Sequence, residues 1–82
     1  MDKDNQQTLG TVIRKYRLER GVTQAQLATA AGYTHRSSIA KIERNAFEAT
    51  LPKLVLIMDA LRIPQQELFD AAILNTRRAL GL

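Results

Sequence analysis

Cysteine is absent from the 82 residues, as is tryptophan. Without thiols there is no disulfide and no thiolate metal site, which fits a reducing cytoplasm, the compartment expected here. Two tyrosines and two phenylalanines are too few for an aromatic platform on which single-stranded nucleic acid could stack. No apolar run approaches the roughly 20 residues of a membrane span, and the opening MDKDNQQ is too polar for a secretory signal, so no membrane association is expected. His35 is the single histidine and has no clustered carboxylates around it, so no metal site is expected. Ser37 and Ser38 lack a histidine–acid set, and no glycine-rich phosphate loop occurs. Asp59, Glu67 and Asp70 fall on different helical faces and read as solvated surface. No catalytic constellation remains, so neither an enzyme nor a cofactor is expected. The length suits one small domain, and a net charge of +4 is compatible with nucleic acid without establishing it.

What is present is helical punctuation. Thr23 and Gln26 have capping-box spacing, and Val22 and Leu27 stand at the two places of a hydrophobic staple. The helix they start carries Leu27, Ala28 and Ala31 and stops at Gly32, where a left-handed residue is cheap. A second helix follows and ends near Arg44–Asn45, with Ile39 and Ile42 on its inner face. Its outer face, Ser37, Ala40, Lys41 and Arg44 with Arg36 at the flank, is small, polar and cationic. A solvated helix usually mixes both signs, so this bias points to an anionic partner.

Around this pair, a first helix is predicted from Leu9 to Arg20 with Leu9, Val12, Ile13 and Tyr16 inward and Gly21 as its stop. Thr50 reads as the N-cap of a fourth helix with Pro52 in its first turn and Leu51, Leu54, Val55, Met58 and Leu61 buried, Ile57 alongside. Pro64 opens a fifth, with Leu68 and Phe69 facing the core. The apolar stripe continues through Ala72, Ile73, Thr76, Ala79 and Leu80, and Leu56 lies off the fourth helix's core stripe. Residues 1–8 read as a flexible arm, 9–70 as the domain, and 71–82 as a helical tail suited to dimerisation. Glu43 is disfavoured by the helix dipole in the last turn of its helix and lies beside the Ile39/Ile42 face, so it needs a cation from another helix.

TQAQLA at 23–28, Gly32, SSIAKIERN at 37–45, TLPKLVLIMDALRI at 50–63 and QELF at 66–69 together resemble the helix-turn-helix of the phage Cro and repressor type, the Xre-like family. The resemblance implies an all-α, five-helix lambda-repressor-like DNA-binding domain with a C-terminal helical extension. It also implies that Arg17 supplies the cation for Glu43 as a structural ion pair. Two departures stand out. The turn after Gly32 is one residue longer than the usual pattern, leaving Thr34 or His35 as the cap of the recognition helix at about 36–44. The loop at 46–49 carries Phe47 and Glu48 where relatives often carry basic residues.

The function implied is a sequence-specific double-stranded DNA-binding transcriptional regulator, a repressor acting as a homodimer on a palindromic operator. Arg36, Ser37, Ala40 and Lys41 would face base edges; Thr23, Gln24, His35, Arg44 and Lys53 would meet phosphates. Leu56, Phe69, Ala72, Ile73, Thr76 and Leu80 would form the dimer interface. The alternative is an antitoxin-like or other protein-binding module that also contacts DNA.

Overall fold

The computed structural model describes residues 7–82, and the expected arm therefore lies, up to residue 6, outside the described residues. Five helices follow in order: α1 (Leu9–Glu19), α2 (Gln24–Ala30), α3 (Arg36–Glu43), α4 (Leu51–Leu61) and α5 (Gln65–Ala79). The described residues hold no strand, and no described helix is long and apolar enough to cross a membrane. The all-α, five-helix expectation is met.

Helix α2 begins as its sequence dictates. Thr23 Oγ1 accepts from Gln26 N at 3.0 Å while Gln26 Oε1 accepts from Thr23 N at 2.9 Å, closing the capping box. Gly32 ends the segment at φ 79°, and Gly21 ends α1 at φ 68°, both in the left-handed region. The longer turn is settled by Tyr33. Its N–H donates to Ala28 O at 2.8 Å, and its half-buried ring packs edge-on against Phe47 with centroids 6.3 Å apart. Of the two candidate caps, His35 is the N-cap of α3; its side chain makes no capping hydrogen bond.

The core joins Val12 and Ile13 of α1, Leu27 and Ala28 of α2, Ile39 and Ile42 of α3, and Ile57 and Leu61 of α4. Helix α5 closes it through Leu68 and Ala71. Two helix stripes differ from expectation. On α4 the buried residues are Leu54, Ile57 and Leu61, three or four apart, whereas Leu51 and Val55 are exposed at 68% and 42%. Leu54 and Leu61 lie on both stripes, and Ile57, expected alongside, is the centre of the buried one; the observed face is turned by roughly 60°, less than the ~100° of one residue, a difference that apolar residues all along α4 do not resolve. Phe69, expected in the core with Leu68, is 55% exposed, because Leu68 and Ala71 define the buried line. Ala72, assigned to the dimer surface, is partly buried against this chain's own core.

Helix α5 lies antiparallel along α1. Tyr16 donates its hydroxyl to Glu67 Oε1 at 2.6 Å, Lys15 stands 3.5 Å from Glu67 Oε2, and Asn75 Oδ1 accepts from Leu9 N at 3.0 Å. Glu67 is thus an acceptor between helices rather than a purely solvated charge. Thr8, placed in the arm by sequence, caps α1 by accepting from Thr11 N.

Candidate nucleic-acid interface

Helices α2 and α3 pack closely because the residues at their crossing are small, Ala28 and Ala31, and because Ile39 and Ile42 are fully covered. With that side buried, α3 turns Arg36, Ser37 and Lys41 outward, all exposed, with Ala40 half-buried between them and Arg44 exposed at the C-cap.

The electrostatics of this face depend on Glu43, the single carboxylate of α3. Arg17 meets it in a bidentate pair, Nε to Oε2 at 2.5 Å and Nη2 to Oε1 at 3.1 Å, with side-chain exposures of 10% and 5%. The same guanidinium donates through Nη1 to Val22 O at 3.0 Å, holding the segment that leads into α2. Gln24 Nε2 adds a third donor to the carboxylate, 3.1 Å from Oε1. One buried group therefore fastens α1, α2 and α3 together, and the negative charge is withdrawn from the outer side. What α3 leaves in solvent is cationic.

The other assigned residues fall as follows. Thr23 is exposed at the start of α2; its oxygen accepts the cap bond, and a hydroxyl that accepts still has its own proton to donate. Gln24 is half-buried on Glu43, and among the described residues its amide oxygen and second N–H have no partner. His35 is exposed beside Arg36. Arg17, Leu18, Gly21, Val22, Thr23, Gln24, Ala25 and Arg36 border one shallow concavity, so the start of α2 and the start of α3 share a surface. Lys53 points elsewhere: its ammonium donates to Gly32 O at 3.1 Å and stands 4.8 Å from the Tyr33 ring centroid, capping the end of α2. Burial pushes the Tyr33 phenol above its ordinary pKa.

Three arrangements were not anticipated. Arg20 donates to Leu61 O at 2.8 Å and Arg62 O at 3.3 Å, closing the end of α4, where Arg62 is left-handed at φ 55°. Gly10 lies so close to the end of α3 that a Cβ there would fall 2.6 Å from Ile42 O and nearer still to Glu43 O. The signal for this was a glycine inside a helical pattern, which costs about 1 kcal/mol against alanine and so wants a packing reason. The third is a pair of side-chain amides, Asn75 Nδ2 donating to Asn45 Oδ1 at 2.9 Å.

Comparison with known proteins agrees with this geometry. The helix-turn-helix family model matches residues 13–68. The crystal structure of the wild-type restriction-modification controller protein C.Esp1396I is similar at 37% identity, covering 83% of this chain and 88% of that one, with a TM-score of 0.64. A tyrosine-to-phenylalanine variant of the same controller protein matches at 35% identity over 88% of this chain and 86% of that one, TM-score 0.64. A tyrosine-to-alanine variant matches at 34% over 89% and 90%, TM-score 0.65. No curated protein sequence matches the chain. The matched span takes in all of α2, α3 and α4, with most of α1 and the start of α5, and the chain belongs to the Xre-like helix-turn-helix family of DNA-binding transcription regulators.

Proposed function

We propose that this regulator binds a palindromic operator as a homodimer and represses transcription, with α3 in the major groove of each half-site. The observation that carries the reading is the outer face of α3: exposed Arg36, Ser37 and Lys41, with its one carboxylate turned inward onto Arg17. An α-helix fits the roughly 12 Å major groove, where arginine and lysine suit guanine O6 and N7, serine is permissive, and the Ala40 methyl can lie against a thymine methyl. Thr23, Gln24, His35 and Arg44 flank that face and would seat the protein on phosphates. Lys53 is the weakest of the assigned phosphate contacts, since its ammonium is engaged by Gly32.

A helix of eight residues reads only a few base pairs, so useful specificity calls for two half-sites about 10 base pairs apart. The surface for a second copy lies on α4 and α5. Leu56, Phe69, Ile73 and Leu80 are all more than two-fifths exposed, and Leu51 and Val55 join them there instead of lying in the core. Leu51 of α4 and Thr76 of α5 border a groove of about 560 Å³ that Leu9 of α1 and the loop at 45–49 also line. Similarity to a restriction-modification controller protein supports transcriptional control over the antitoxin-like alternative and suggests restriction-modification genes as the target. Selection of random duplexes on the purified chain, with sedimentation of the resulting complex, tests the reading. A two-fold symmetric winner bound by two chains is expected; enrichment of no duplex, or of an asymmetric one bound by a single chain, overturns it.

A further inference from the structure

Helix α1 starts with three backbone N–H groups that have no partner within the helix. Each is taken by a side chain from a different place. Leu9 N donates to Asn75 Oδ1 at 3.0 Å, Gly10 N to Asn45 Oδ1 at 3.0 Å, and Thr11 N to Thr8 Oγ1 at 3.3 Å. The two asparagines are also joined, Asn75 Nδ2 donating to Asn45 Oδ1 at 2.9 Å, and Asn45 Nδ2 donates to Thr8 Oγ1 at 3.0 Å. Both lone pairs of the Asn45 amide oxygen are used, so its orientation is set from two sides. Asn45 is the left-handed residue, φ 58°, immediately after the C-cap of α3. Gly10 leaves no room for a side chain at this junction, since a Cβ built on it would fall 2.6 Å from Ile42 O.

We propose that Asn45 and Asn75 are positioning residues for DNA recognition: through their paired amides the far half of α5 fixes the C-terminal end of α3, and with it the angle at which Arg36, Ser37 and Lys41 meet the duplex. This rests on the α3 reading above. Helix α3 is about 12 Å long, and packing at Ile39 and Ile42 holds its middle. Its tilt is therefore decided at its ends. Glu43 ties the C-terminal end to α1 and α2; among the described residues, the Asn45–Asn75 bond is what ties it to α5. Where α5 also carries the surface for a second copy, the spacing of two half-sites and the tilt of each recognition helix are set by one element.

The test uses three variants of the whole chain. Asn75→Ala removes the amide from α5; Asn75→Asp keeps the acceptor for Leu9 N and loses the donor to Asn45; Asn45→Gly keeps the left-handed backbone and loses the side chain. Affinities are measured for the duplex selected by the wild-type chain and for duplexes with single base-pair changes, at matched folded fraction. The expected result is a fall in discrimination on the order of three- to tenfold, the scale of one hydrogen bond, with oligomeric mass unchanged. Wild-type discrimination in all three variants, or a loss accounted for wholly by unfolding, overturns the proposal. Residual dipolar couplings of the DNA-free chain give the α1–α3 angle without any duplex, which separates this proposal from the functional reading. A changed angle in Asn75→Asp supports the positioning role even if no duplex is ever enriched, and an unchanged angle contradicts it.

Discussion

The Arg17 guanidinium lies flat against the Glu43 carboxylate, two parallel hydrogen bonds linking residues 26 apart in sequence. Both side chains are at least nine-tenths buried. A pair so placed is weak evidence for net stability, since desolvation offsets much of the attraction, but breaking it leaves an unpaired buried charge. Arg17→Ala or Glu43→Ala should therefore cost about 3–5 kcal/mol. The double change Arg17→Met with Glu43→Leu should cost less than either. Urea denaturation of the three variants checks this; a double variant less stable than both singles would contradict it.

Gly10→Ala should destabilise the fold, against the ordinary rule that alanine in a helix gains about 1 kcal/mol over glycine. The added methyl would press on the carbonyl oxygens of Ile42 and Glu43, which belong to backbone and cannot rotate away. A loss of about 1–3 kcal/mol is expected for such overpacking. A thermal melt decides it, and a raised Tm would show that α1 and α3 do not approach so closely.

Tyr16 supplies a pH dependence. The hydrogen bond to Glu67 raises its pKa above the usual 10.0, with desolvation and the Glu67 charge adding to this. A phenol whose folded pKa exceeds its unfolded value contributes stability that is fully present below about pH 10 and is lost as pH rises through the folded value. Wild type should therefore exceed Tyr16→Phe in stability at neutral pH, with the gap closing in strong alkali. Denaturation midpoints measured from neutral to alkaline pH check this; a gap that widened with pH would reverse the sign.

Roles at the interface separate by how they treat sequence. Arg36→Ala and Lys41→Ala should each cost about 1–3 kcal/mol on the selected duplex and relax preference at one position. Gln24→Ala should weaken all duplexes more evenly. Because Gln24 also donates to Glu43, that variant should lose a little stability as well. Competition titrations against single-position duplex variants distinguish the two patterns.

Much of this was legible in the chain itself. The capping box at Thr23, the stop at Gly32 and the inner Ile39/Ile42 face follow from local chemistry, and they sufficed to place α2 and α3 and the outward residues of α3. The demand of Glu43 for a cation followed from the helix dipole and burial; that Arg17 meets it took a resemblance, because no local rule spans 26 residues. The facing of α4 was not legible, since Leu51, Val55, Leu56 and Ile57 are equally apolar and only packing against α2 and α1 chooses among them. Lys53 reads as a phosphate ligand in isolation, yet the carbonyl left free at the end of α2 claims it. The Asn45–Asn75 amides were invisible for the same reason as Arg20 on Leu61: polar side chains that close distant helix ends leave no periodic trace.

On the proposed reading, the uncovered side of α3 lies in the major groove. Methylation interference on the selected duplex distinguishes the grooves, because one reagent marks guanine N7 in the major groove and adenine N3 in the minor groove. Methylation of guanine N7 within each half-site is expected to block binding, with that sensitivity reduced in Arg36→Ala or Lys41→Ala. Binding that tolerates N7 methylation throughout and is blocked only by methylated adenine N3 would contradict it.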